Sequence, residues 1–139
     1  MADTSYLSME GAQVEATAAQ TRMATGGMHL YQSGFVPSPT STLTDFDANE
    51  CDFDGYVAAT FTAWNAPVIA GTGWMTYGPT QTFAYVDGAT HVGNMVGGYY
   101  LVDKDGKLVG WSAASPAEPC QANGQAFIRT PTLVFRAGL

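Results

Sequence analysis

The chain has 139 residues, enough for one domain with one core and too few for two ordinary ones. Hydrophobic residues make up 46% of it, so it is expected to fold, while only 12% are charged and sixteen Thr with Ser, Gln and Gly fill the surface instead. A net charge of −7 with five Lys and Arg excludes a basic stripe, and with it both nucleic acid and an anionic membrane surface as expected partners.

No apolar run approaches the roughly 18 residues of a membrane span. The opening "MADTSYLSMEGAQ" has neither a basic nor an apolar region of the kind a secretory signal needs, so synthesis in a cytoplasm is expected. Residues 1–27 hold no Phe, Trp or Ile. Their Ala, Gln, Glu and Arg favour helix, with Val14, Ala18 and Met23 as a thin apolar stripe and Gly26-Gly27 as its end. The reading is an amino-terminal arm, 1–27, carrying a short helix that orders on a partner. A plain disordered tail is the alternative. Deleting the arm is then expected to leave the β domain, 28–139, folded.

From Met28 onward the signals are β. "MHLYQSGF" reads as a strand, and Pro37 and Pro39 make "VPSPTSTL" an extended linker or edge. "LTDFDANECDFDGYVAATFTAW" follows, with five of the twelve acids between Asp45 and Asp54. Its second half alternates, placing Val57, Ala59, Phe61 and Ala63 on one strand face and Tyr56, Ala58, Thr60, Thr62 and Trp64 on the other. "GWMTY" and "QTFAYV" are two more runs, parted by Gly78-Pro79. "GYYLVDKDGKLVGW" reads as a hairpin turning at Asp103-Lys104-Asp105-Gly106, and "QAFIRTPTLVFRAGL" adds one or two strands around Pro131. The expected fold is all-β: an antiparallel sandwich or small barrel of seven to eight strands.

The acidic stretch is the first candidate for chemistry. Asp45, Asp47 and Asn49 start a calcium-loop pattern, but Glu50 stands where its Gly belongs and Tyr56 where its closing Glu belongs. Two readings stay open: a looser calcium site drawing on Asp45, Asp47, Asp52 and Asp54, or acids facing water while Phe46 and Phe53 tuck inward. In the second, Asp54-Gly55 is the turn that launches the next strand. Cys51 and Cys120 either pair or remain two small free thiols, and no four-ligand zinc pattern exists. His29 reads as a packed or edge histidine and His91 as a loop residue, neither beside a recognisable nucleophile. The glycines near His91 lack the Lys of a phosphate-cradling loop. Tyr99, Tyr100 and Trp111 are either core or a platform for a sugar ring. No catalytic, cofactor-binding or metal residue is assigned, no cofactor is expected, and the chain is not read as an enzyme.

Two stretches together carry a resemblance. Leu30, Tyr31, Phe35, Pro37, Pro39, Leu43, Asp45, Phe46, Phe53, Asp54, Gly55 and Tyr56 form the first, and Gly98, Tyr99, Tyr100, Asp103, Gly106 and Leu108 the second. Over residues 28–112 the chain resembles small β-rich virion-associated proteins of tailed bacteriophages, in particular capsid decoration, or cement, proteins. The resemblance implies a structural virion protein, made in the host cytoplasm, that binds the major capsid protein from outside as a homo-oligomer, with a trimer favoured. The alternative is a host-surface-binding module of a tail or capsid fibre that holds a glycan through exposed aromatics.

Overall fold

The computed structural model describes residues 3–86 and 94–138, so the loop expected around His91 lies outside the described residues. The chain runs α1 (Met9–Met23), β1 (Gly27–Gln32), α2 (Leu43–Asp47), β2 (Ala59–Thr60), β3 (Val68–Ala70), β4 (Gly73–Tyr77), β5 (Gln81–Ala84), β6 (Met95–Val102), β7 (Leu108–Pro119), β8 (Ala126–Arg129) and β9 (Thr132–Arg136). Among the described residues the strands form three antiparallel sheets, ordered β2-β1-β6-β7, β3-β4-β9 and β5-β8. The all-β expectation holds, with nine described strands rather than seven or eight. The extra one is β3, three residues too short to carry a readable alternation.

The three sheets meet in a sandwich-like core. The inner face of the largest contributes Met28, Leu30, Val96, Tyr99 and Leu101; the smaller sheets add Phe83, Phe127 and Leu133; the connections add Cys51, Phe53, Phe61 and Trp64. Helix α1 completes it with Met23, which is fully buried. The helix begins at Ser8, whose side chain accepts the Gly11 N–H, and Glu10 and Arg22 each sit at the end where the helix dipole favours their charge.

The amino-terminal segment is seated on the β domain. Helix α1 packs against β4 and β9 through Ala12, Ala16, Ala19 and Met23, while Val14, expected on the apolar stripe, is 61% exposed. Alanines are weak markers of burial in a sequence, yet their small size lets a helix lie close on a sheet. Polar bonds fasten both ends: Gly138 N–H donates to the Leu7 carbonyl, Gln20 Nε2 to the Trp64 carbonyl, and Lys104 N–H to the Arg22 carbonyl. Gly26 then carries the chain tightly past the hairpin, since a Cβ there would sit 2.4 Å from the Val102 carbonyl oxygen.

The β6–β7 hairpin turns where Asp103-Lys104-Asp105-Gly106 predicts. The Asp103 carboxylate is its centre, with one oxygen accepting the N–H groups of Asp105 and Lys107 and the other accepting Nε and Nη2 of Arg22. Gly106 takes φ +77°, the left-handed conformation that the turn requires. A second close approach falls at Gly98, where a Cβ would meet the Ser112 carbonyl oxygen at 2.1 Å, so β6 and β7 are in contact there without a side chain between them.

One strand reading is corrected. Within "YVAATFTAW" only Ala59–Thr60 pairs with β1. Val57 is 77% exposed while Phe61 and Trp64, three positions apart, are both buried, so the expected alternation fails. Small Ala and Thr side chains give either strand face little area to bury, and the aromatic residues decide the path instead.

Candidate functional site

The acidic stretch opens with a helix that the sequence reading missed. Thr42 and Asp45 form a reciprocal cap: Thr42 Oγ1 accepts the Asp45 N–H, and Asp45 Oδ2 accepts the Thr42 N–H. The signal was present as Thr-x-x-Asp, the carboxylate standing where a capping box usually has Glu. The helix is one turn long and cannot stand alone, so its position depends on Phe46. That ring is fully buried on the outer face of the largest sheet, among Tyr31, Tyr100 and Phe35.

The acids are bound to different partners. Asp47 Oδ1 accepts the Tyr100 hydroxyl at 2.7 Å, and Asp52 accepts Asn94 Nδ2 while its own N–H donates to Asn94 Oδ1. Asp45, Asp47 and Asp52 are exposed, and Phe46 and Phe53 point inward as the second reading of this stretch expects. Among the described residues, no three His, Cys, Asp or Glu are grouped to hold a metal ion. Asp54-Gly55 forms a turn with Gly55 at φ +89°, but it leads into irregular chain rather than the expected strand.

Glu50 is the centre of a polar cluster that joins the acidic stretch to β1. Its Oε2 lies 2.7 Å from His29 Nδ1 and accepts the Tyr56 hydroxyl at 2.6 Å, and that hydroxyl in turn accepts the Leu30 N–H. The His29 ring stacks on Tyr100 at 4.8 Å, so the histidine read as packed or edge is half-buried and held on two sides. Burial alone raises the Glu50 pKa, but the hydrogen bonds from His29 and Tyr56 and the His29 charge outweigh it and hold the carboxyl below its ordinary range. Burial and the acceptor carboxylates push the Tyr56 and Tyr100 hydroxyls upward, so both remain donors.

A carboxylate, an imidazole and a phenol in contact invite a catalytic reading. The arrangement works against it. The Tyr56 oxygen is already committed to Glu50 and Leu30, and its raised pKa disfavours the phenolate that nucleophilic attack would need. Cys51 is buried, with its thiol pushed up to about 12, first by burial and then by the neighbouring Cys120, Asp52 and Glu50, and burial also raises Cys120. Both cysteines are free thiols. Protonated buried thiols are inert as nucleophiles and ligands. The cluster fastens the 42–56 connection to β1 and β6.

Of the aromatic trio, Tyr99 and Tyr100 are buried core residues, whereas Trp111 is 37% exposed. The resemblance residues Leu30, Tyr31, Phe46, Phe53, Tyr99 and Tyr100 are all buried, so they hold sheet and connection together rather than form a surface. Among the described residues, no helix is long and apolar enough to cross a membrane. Protein-family models, curated proteins and solved structures gave no match to this chain.

The carboxylates yield a pH prediction. Burial favours neutral Asp103, but the Lys107 N–H, the Arg22 guanidinium and the Asp105 N–H reverse that and hold its pKa below the ordinary value, as with Glu50. Folded-state pKa values below the unfolded ones mean that stability is fully present above the unfolded values and is lost as pH falls through the folded ones. Thermal unfolding across acid pH is therefore expected to show a melting temperature that declines below about pH 5. Asp103→Asn is expected to lower the neutral-pH value and flatten that decline; an unchanged slope contradicts the assignment.

Proposed function

We propose that the chain is a structural virion protein that attaches to the outside of a phage capsid as a homo-oligomer, a trimer at a symmetry axis, with the major capsid protein as its partner. The observation that supports this most is the outward face of the β3-β4-β9 sheet. Cross-strand register places Val68, Met75 and Val134 side by side. The opposite face carries buried Thr76 and core-packed Leu133, so it is turned inward. Val68 and Val134 are 39% and 45% exposed.

An exposed apolar sheet face on a chain of few charges fits a protein–protein contact. A shell repeats that contact at every equivalent position, so a modest patch gains by multiplicity. The resemblance of residues 28–112 to capsid decoration proteins points the same way.

Co-sedimentation with purified capsids tests the proposal. The wild-type chain is expected to saturate them at a fixed ratio to the capsid protein. Val134→Asp, which places a charge on the β9 side of the patch, is expected to weaken binding by at least about tenfold while leaving the melting temperature within a few degrees. Unchanged binding by that variant removes the sheet face from the contact, and no binding by the wild type removes the capsid.

A further inference from the structure

We propose that the groove between the Pro39–Thr44 segment and the start of β7 is a carbohydrate-binding site, with a pyranose ring lying on the indole of Trp111. The site shares no residue with the Val68–Val134 patch, so it goes beyond capsid attachment and stands or falls separately.

The groove has a volume of about 580 Å³, within the range of small-molecule sites. One wall is lined by Ser41, Thr42 and Thr44, and the other by Lys107 and Trp111. None of its lining residues is acidic, in a chain that carries a net charge of −7. A pyranose has one flat C–H face and a rim of hydroxyls, so it needs an apolar plate beside groups that both donate and accept hydrogen bonds. This groove supplies both.

The plate is placed by the fold. A bulge sets Val102 opposite Leu108 and Leu101 opposite Gly110, giving β7 one extra residue. Leu108 and Trp111, three positions apart, therefore share the outer face, while Val109 packs into the main core. Phe46 lies 6.0 Å from the indole and supports one flank, so the ring is held before a ligand arrives.

The polar wall is equally fixed. Ser41 Oγ accepts the Ser38 N–H and also contacts Ser38 Oγ at 3.5 Å, while Thr42 Oγ1 accepts the Asp45 N–H, which leaves the Thr42 hydroxyl a proton to donate. Thr44 Oγ1 and the Lys107 ammonium bond to no described residue and are available to sugar oxygens.

Chitohexaose, maltohexaose and a galacturonate hexamer, each titrated into the isotopically labelled full chain, test the site by amide and indole NMR shifts. At least one of the three is expected to shift the Trp111 indole and the amides of 41–44 and 106–111 together. Trp111→Ala is expected to reduce that affinity by at least about tenfold and Trp111→Phe to restore most of it. Thr44→Val and Lys107→Met, both at surface positions, are each expected to weaken binding, which keeps the test decisive if Trp111→Ala fails to fold. Shifts confined to other residues, no shift with any of the three sugars, or equal shifts with inorganic phosphate would overturn the proposal.

Discussion

Removing residues 1–27 is expected to abolish cooperative folding. The truncation strips Met23 from the main core and uncovers the parts of β4 and β9 beneath Ala12, Ala16 and Ala19. It also removes Arg22 from the Asp103 carboxylate, whose side chain is only 3% exposed. A buried methionine is worth about 2–5 kcal/mol by itself, and uncovering the sheet beneath three buried alanines and removing the charge partner of Asp103 Oδ2 add to that loss. Together these losses reach the total stability of a typical domain, about 5–15 kcal/mol. Amide dispersion in an NMR spectrum of the truncated chain reads the outcome: collapsed dispersion is expected, and a native-like spectrum returns the segment to the independent arm that its composition suggests.

The second large effect is expected at Phe46. Phe46→Ala opens a cavity beneath α2 and removes ring contacts to Tyr31, Phe35 and Tyr100 at 5.7, 5.0 and 4.8 Å. Truncation of a buried phenylalanine costs about 3–5 kcal/mol. With its anchor lost, a five-residue helix has no intrinsic stability to fall back on, and the Asp47–Tyr100 bond loses its alignment. Urea unfolding is expected to show that loss, whereas Asp45→Ala, which removes one partner of an exposed cap, is expected to cost only about 1 kcal/mol. Similar costs for the two variants contradict the view that the acidic stretch is held by its aromatic residues.

The parts of the fold that were legible in the sequence are those where local chemistry and tertiary packing agree. The Asp103–Gly106 turn needs a left-handed glycine and an acceptor for backbone N–H groups, and both are written in the residues themselves. Phe46 and Phe53 interrupt the acids at positions that only burial explains. What was not legible depends on distant partners. Nothing near Ala12 or Ala16 announces β4 and β9, whose residues lie more than fifty positions away.

Glu50 illustrates the same point within the candidate cluster. In the sequence it is one acid among five, yet the fold brings His29 and Tyr56 onto one of its oxygens. The groove beside Trp111 joins residues 39–44 to 106–111, and a β-bulge that leaves no mark in the sequence decides which way the indole faces. Of Tyr99, Tyr100 and Trp111, only position in the sheet separates core from surface.

The proposed attachment to a capsid is tested most directly by the number of copies of the chain found in virions. Quantitative mass spectrometry of phage particles purified from a host that makes the chain gives that number relative to the major capsid protein. Attachment to the shell predicts a copy number in fixed simple proportion to the capsid protein. A few copies per particle, matching tail or fibre components, or complete absence from the particle, would contradict it.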